Sequence, residues 1–408
     1  MDNHNLQQGQ RLVWLDWLRV LAILGVLFFH SAMPFAAELD WHIKNKETSS
    51  LFLEFNFFLS RFRMPLLFFI SGSVTFFMLK KRSIGQFIRM RFKRLFVPLI
   101  FGILLLVPIQ IYIERVEQGF GGNFFQFYPT VFTTGFYPSG NLSWHHLWFL
   151  AYLFVYDVVF APVFKYCISN RESLLWLKWF AAKKRMYWLT VPSIICFTAL
   201  ILHFPETHAL INDWCWVIYW LFFLLIGFAC MCIPDLLQSV ERNRITSFTL
   251  AFLSIILLNY LRWNGFEPYK LFSEWKNHPL TYLYLALYPL IAWLWVFTII
   301  GYGKKYLNKA TKELSYMNGA AYPFYILHQT VIVVIVYYVI KTSDTILGKY
   351  IFIVFTSLLI SMGIYHLFIR PFKVGRFLFG SEKISFKLFS NSFLSSALKS
   401  DISISISN

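Results

Sequence analysis

The sequence predicts an all-α integral membrane protein of about ten transmembrane helices, with both termini cytoplasmic. Three observations carry this. Of 408 residues, 58% are hydrophobic and only 14% are charged, whereas a soluble domain is about 45–50% apolar and about 25% charged. Ten stretches approach the roughly 20 apolar residues that a helix needs to cross a bilayer. The basic residues alternate between the connections, as the positive-inside rule requires.

In chain order the stretches are 12–35, 51–79, 95–113, 147–164, 187–204, 213–233, 247–261, 280–301, 321–340 and 350–369. The first is too long for a signal peptide, carries Asp16 and Arg19 and lacks a small-residue cleavage site. The seventh is the shortest. The N-terminal segment, the even-numbered connections and the tail hold 26 Lys and Arg, against eight in the odd-numbered connections. The formal net charge of +17 is therefore a topology signal and not a nucleic-acid footprint. No internal repeat points to a transporter built from duplicated halves. The five cysteines are scattered and no His/Cys set has zinc-site spacing, so no metal is expected. The chain divides into a cytoplasmic segment 1–11, a membrane domain 12–369 and a tail 370–408. Ten of the last 28 residues are Ser, so the tail reads as disordered or loosely attached.

Charged groups inside a span are costly, and each is a functional hypothesis. In the first span Asp16, Arg19 and His30 fall on one helical face, with Arg19 and His30 about 16 Å apart along the axis. Two readings compete: an interfacial i,i+3 ion pair plus an interior histidine, or a polar tunnel with His30 as a base. In the second span Arg61 and Arg63 cannot both face lipid. They either snorkel to the interface or clamp an anionic substrate. Pro65 and the pair Ser71-Gly72 permit bending and close packing there. Before the third span, Arg89, Arg91, Lys93 and Arg94 either anchor the helix or hold a phosphate bidentately. Trp148 follows the adjacent pair His145-His146, and Tyr325 and His328 lie in the ninth span; taken alone, these read as structural.

Together these segments resemble the acyltransferase-3 family of integral-membrane acyltransferases. Asp16-x-x-Arg19 with ten residues between Arg19 and His30 is similar to the family's Arg-x10-His signature. Arg91-x-x-Arg94 before Pro98 is similar to its second basic motif. Met64 to Gly72, His146-Leu147-Trp148-Phe149-Leu150 and Tyr325-Ile326-Leu327-His328 resemble three further family segments, in the family's order. The wording is similar to the branch that includes periplasmic-glucan succinyltransferases.

The resemblance implies transfer of an acyl group, acetyl or succinyl, from cytoplasmic acyl-CoA to a hydroxyl of an envelope glycan or lipid. It implies a bacterial inner-membrane location and no bound cofactor, acyl-CoA being a substrate. With only about 38 residues after the last span, the chain either acts alone or passes its acyl group to a separate periplasmic partner. His30 is the expected base, since neutral imidazole works near pH 7, with Arg19 near the thioester end and Asp16 orienting it. Arg91 and Arg94 are expected at the CoA phosphates. Arg61, Arg63, Trp148, Tyr325 and His328 complete the expected substrate-binding set. The rival reading is a transporter or flippase for a lipid-linked glycan or acyl compound.

Overall fold

The structure, a computed structural model, describes residues 12–381. The N-terminal segment 1–11 and most of the Ser-rich tail lie outside the described residues. Nine described helices are long and apolar enough to cross a membrane. Beyond two isolated bridges, the described residues contain no β-structure, so the chain is an all-α integral membrane protein.

The crossing helices are α1 (Val13–Ala32), α2 (Ser50–Lys80), α3 (Ile84–Glu117) and α4 (Trp148–Ser169). After the shorter α5 (Arg185–Leu200) come α6 (Trp214–Cys232), the connector α7 (Pro234–Arg242) and α8 (Arg244–Trp263). The bundle closes with α9 (Pro279–Tyr306), α10 (Lys312–Val339), α11 (Ile346–Ile369) and the small α12 (Lys373–Leu378). Several starts follow from capping side chains. Ser83 and Gln86 form a reciprocal capping box at α3, and the hydroxyls of Ser49, Thr311 and Thr345 cap α2, α10 and α11.

The expected fifth span, 187–204, is the one that falls short by length. It nonetheless joins the two ends of the bundle. At its start, the Asn243 side chain donates to the Lys183 carbonyl at 2.8 Å, beside the basic connections. Beyond its end, Trp144 Nε1 donates to the His208 carbonyl at 2.9 Å. The first six residues of α5 are 3₁₀-helical and the next ten are α-helical. At about 2.0 and 1.5 Å rise per residue this covers roughly 27 Å, close to a hydrocarbon core of about 30 Å.

The first residues of the stretch expected as a tail from 370 are ordered against the bundle. Residues 373–378 are helical, and the Phe379 ring packs 5.0 Å from that of Phe101. Gly380 has φ +59°, and a Cβ there would lie 2.5 Å from the Arg94 carbonyl oxygen. Only glycine makes that approach at that φ without strain.

The core forms where α1, α2, α6, α9 and α10 pack together. The close packing expected at Ser71-Gly72 is the contact of α2 with α6. A Cβ on Gly72 would lie 1.9 Å from the Leu224 carbonyl oxygen, and one on Gly227 2.0 Å from that of Phe69. Small residues let two helix backbones touch where no hydrophobic effect drives them together. In α3, Pro98 and Pro108 remove two backbone donors, and π-helical turns cover 92–96 and 102–106. Pro108 has no N–H for the Leu104 carbonyl, which accepts instead from the Tyr128 hydroxyl at 3.0 Å.

A histidine-lined cavity and its polar network

The bundle encloses a cavity of about 1260 Å³. His30 of α1 and Met33 just after it, Asn56, Arg61 and Arg63 of α2, Trp148 of α4, and Tyr325 and Gln329 of α10 line it. Its upper wall comes from connections carrying His42, Tyr137, His145 and residues 206–209. Phe136 and Ile211, 79% and 77% exposed, are also lining residues. The cavity thus opens at the end of the bundle away from the Lys/Arg-rich connections.

His30 lies at the start of a continuous polar network. Its Nδ1 is 2.8 Å from Nε2 of His328, the rings meeting edge to edge with centroids 5.0 Å apart and planes 25° apart. His328 Nδ1 is 2.6 Å from the Tyr325 carbonyl oxygen, one turn back on α10. His146 packs edge-on against His328 with ring centroids 5.2 Å apart, and its Nε2 is 3.1 Å from the Ile326 carbonyl oxygen. The Tyr325 hydroxyl closes this corner by donating to the His146 carbonyl. Gln110 of α3 donates to Thr330 Oγ1 at 2.7 Å. Gln329 Nε2 reaches both Gln110 Oε1 and His42 Nε2 at 3.1 Å. His42 Nδ1 stands 2.6 Å from the buried Glu114 carboxylate, near the mouth. Burial, and then the Glu114 carboxylate, push the Tyr137 phenol up to about 12, so it stays a donor to Glu114 at 3.4 Å.

Two polar side chains of α2 face the cavity without a polar partner among the described residues. Arg63 stacks its guanidinium 3.4 Å from the Phe29 ring centroid, next to His30, and makes no hydrogen bond or ion pair to a described residue. Asn56 is fully buried, and neither atom of its amide finds a partner. Seven residues apart, they share one helix face. Arg61 is differently placed: its guanidinium bonds Ser60 Oγ at 2.8 Å and stacks on Phe57 and Tyr288.

The expected site residues separate into three groups. His30, Arg61, Arg63, Trp148 and Tyr325 line the cavity together. His328 is fully buried behind His30 and is not a lining residue; its expected substrate contact gives way to a contact with His30. Asp16, Arg19, Arg91 and Arg94 lie toward the basic end, away from the cavity lining. Asp16 Oδ1 accepts from Arg19 at 2.9 Å and from Asn318 Nδ2 at 2.9 Å, and Arg19 also donates to Asn318 Oδ1. Arg91 differs most from its expected role. It is buried in an ion pair with Asp157 of α4, which also accepts from Thr75 at 2.9 Å. Its guanidinium is therefore paired with a carboxylate inside the bundle.

Sequence reasoning missed Asn56, Asn318, Gln110, Gln329 and the pair His42–Glu114. Asn56 carried a usable signal, a polar residue seven before Arg63 in an apolar span. The others act by meeting residues distant in sequence, which no local pattern shows.

A long, all-helical membrane bundle with a buried histidine pair at the floor of a largely apolar cavity is the frame of a membrane-embedded enzyme domain. The sequence profile of the acyltransferase-3 family, described as an acyltransferase domain, matches residues 12–366, and the chain belongs to that family. It is similar to glucans biosynthesis protein C of Escherichia coli K12 and of Escherichia coli SMS-3-5, 27% identical to each over 173 residues. The same protein of Escherichia coli O6:K15:H31 is 27% identical over 169 residues. Each match covers 40% of this chain and 42% of the relative. No solved structure matches.

Proposed function

We propose that this protein is a membrane O-acyltransferase that moves an acyl group from acyl-CoA to a hydroxyl of an envelope glycan. The observation that carries this is the placement of His30: an imidazole at the floor of a large cavity, beside an arginine with no partner carboxylate among the described residues. Acyl transfer needs a base for the attacking hydroxyl and positive charge for the oxygen that becomes an oxyanion. His30 supplies the base. Arg63, level with Phe29, supplies the charge, which acts more strongly beside a largely apolar wall than in bulk water. The His146 and Tyr325 corner holds the floor rigid.

The donor reaches His30 from the basic end, which the positive-inside rule assigns to the cytoplasm. Its phosphates meet Arg94 together with the exposed Arg89 and Lys93, while the Asp16–Arg19–Asn318 cluster lies along its path. The acceptor enters by the open mouth. Trp41, Trp144, Trp148, Trp216 and Trp220 stand in the lining alongside Asp40, Glu206 and Asn212. Flat aromatic faces beside hydrogen-bonding groups suit a sugar, whose rings present C–H faces and hydroxyls, better than an acyl chain. The related proteins named for glucan biosynthesis point the same way, and a bacterial inner-membrane location goes with this reading. A separate periplasmic partner is needed only if the acyl group must travel beyond the mouth.

The test is mass spectrometry of envelope glycans and lipids from cells with and without the protein. The expected result is an acyl mass increment on a glycan that disappears with the gene and with His30→Gln. An unchanged glycan and lipid profile would overturn the proposal.

A further inference from the structure

We infer that His328 is a positioning residue that sets the tautomer of His30 and thereby leaves His30 Nε2 as the bare, reactive nitrogen. The argument starts from a carbonyl, which can only accept a hydrogen bond. Tyr325 O lies 2.6 Å from His328 Nδ1, so that nitrogen carries the proton. In a neutral ring the other nitrogen, Nε2, is then a lone pair. It faces His30 Nδ1 at 2.8 Å, so His30 must donate from Nδ1. His30 Nε2 is left unprotonated, and it has no hydrogen-bond partner among the described residues.

The alternative assignment puts a proton on both nitrogens of His328, making it a cation. That places a buried positive charge beside Arg63 with no carboxylate among the described contacts of His328, an arrangement burial strongly disfavours. The neighbouring ring supports the neutral chain. His146 Nε2 faces the Ile326 carbonyl at 3.1 Å and its Nδ1 faces the Gln110 amide nitrogen at 3.5 Å, so its proton also sits on the nitrogen facing a backbone carbonyl of α10. Two successive carbonyls of one helix thus fix two imidazoles. His328, fully buried and absent from the cavity lining, acts only through His30. An imidazole held in the right tautomer by an acceptor behind it follows the logic of a catalytic triad, here with a histidine lone pair in the place of a carboxylate.

The kinetic arm of the test rests on the acyl-transfer reading; the spectroscopic arm does not. In membranes carrying the ¹⁵N-histidine-labelled protein, the His30 signal is identified by its loss in His30→Gln. The expected signal is protonated at Nδ1 and bare at Nε2, and His328→Leu abolishes that preference. A His30 protonated at Nε2 in the wild-type protein overturns the inference. In vesicles supplied with radiolabelled acyl-CoA, His328→Leu lowers acyl-glycan formation per inserted molecule by roughly 10²–10⁴-fold, the range of general-base loss. His328→Gln, whose amide oxygen accepts from His30 Nδ1, recovers at least about tenfold of that loss, with acyl-CoA affinity the same in both. A Gln variant no better than Leu, with both proteins inserted normally, overturns the inference. If wild-type vesicles form no acylated product, the acyl-transfer reading falls while the spectrum still decides the tautomer.

Discussion

Arg91 and Arg63 are both arginines on apolar helices, and the bundle treats them in opposite ways. Arg91 is buried against Asp157, with Thr75 bridging to the same carboxylate. Arg63 faces the cavity with the Phe29 ring beneath it and no carboxylate among its described contacts. A buried charge that is paired has met its desolvation cost within the fold. One held at a cavity wall keeps its hydrogen-bonding capacity for whatever enters. The difference separates charges that hold the bundle together from charges that wait for a ligand, and substitutions can test it residue by residue.

The largest effect is expected at the cavity floor. His30→Gln should reduce acyl-glycan formation by roughly 10²–10⁴-fold per inserted molecule, with thermal unfolding in detergent unchanged. Gln keeps a hydrogen bond to His328 but accepts no hydroxyl proton. Retention of more than about a tenth of wild-type turnover, a smaller loss than general-base catalysis predicts, would favour a transporter.

The second effect belongs to the other side of the comparison. Arg91→Ala should destabilise the bundle by about 3–5 kcal/mol, because it strands the Asp157 carboxylate in the interior. Adding Asp157→Leu to Arg91→Met should restore most of that loss, since an apolar pair can replace a buried ion pair at little net cost. The double variant also sharpens the donor assignment. If its stability returns and acyl-CoA affinity is normal, Arg91 serves the fold; if affinity remains low, the guanidinium also meets the donor.

How much of this was visible beforehand follows from the same physics. Spans and the polar residues of α1 are properties of composition and period: nine of the ten expected stretches coincide with helices long enough to cross, although α3 and α10 begin about ten residues earlier than hydropathy places them. The fifth stretch was legible as apolar, but not that its helix ends at Leu200, because residues 201–204 are mostly apolar too and yet form turns. His30 could be singled out as a charge-bearing residue in the wrong solvent. Its partner could not: His328 lies 298 positions away, and only the packing of α1 on α10 brings them together. The arginines were legible as anomalies but not as pairs, since Asp157 lies 66 positions from Arg91 and only packing brings them together.

A smaller loss is expected at Arg63. Arg63→Ala removes a stacking contact with Phe29, worth about 0.5–1 kcal/mol, and little else from the fold. Acyl transfer should fall by roughly ten- to hundredfold, matching about 1.5–3 kcal/mol for a charge-assisted hydrogen bond to the reacting oxygen. The measurement is turnover against melting temperature for the same preparation. Loss of stability in proportion to loss of turnover would place Arg63 with Arg91.

The smallest and most discriminating effect is at Asn56. Its amide is buried with no partner for either polar atom, so it costs the fold desolvation energy and returns no hydrogen bond. Asn56→Leu should therefore leave the melting temperature unchanged or raise it, since removing a buried unsatisfied amide relieves up to about 1–3 kcal/mol. If the amide serves the acceptor, the same substitution should lower acyl transfer by about three- to tenfold, the equivalent of one neutral hydrogen bond. It stands two turns nearer the mouth than Arg63, so the loss should appear as weaker acceptor binding, with acyl-CoA affinity untouched. Stability and activity would then move in opposite directions at one residue, which no structural role produces. A variant that loses both would mean that Asn56 belongs with the paired groups of the fold.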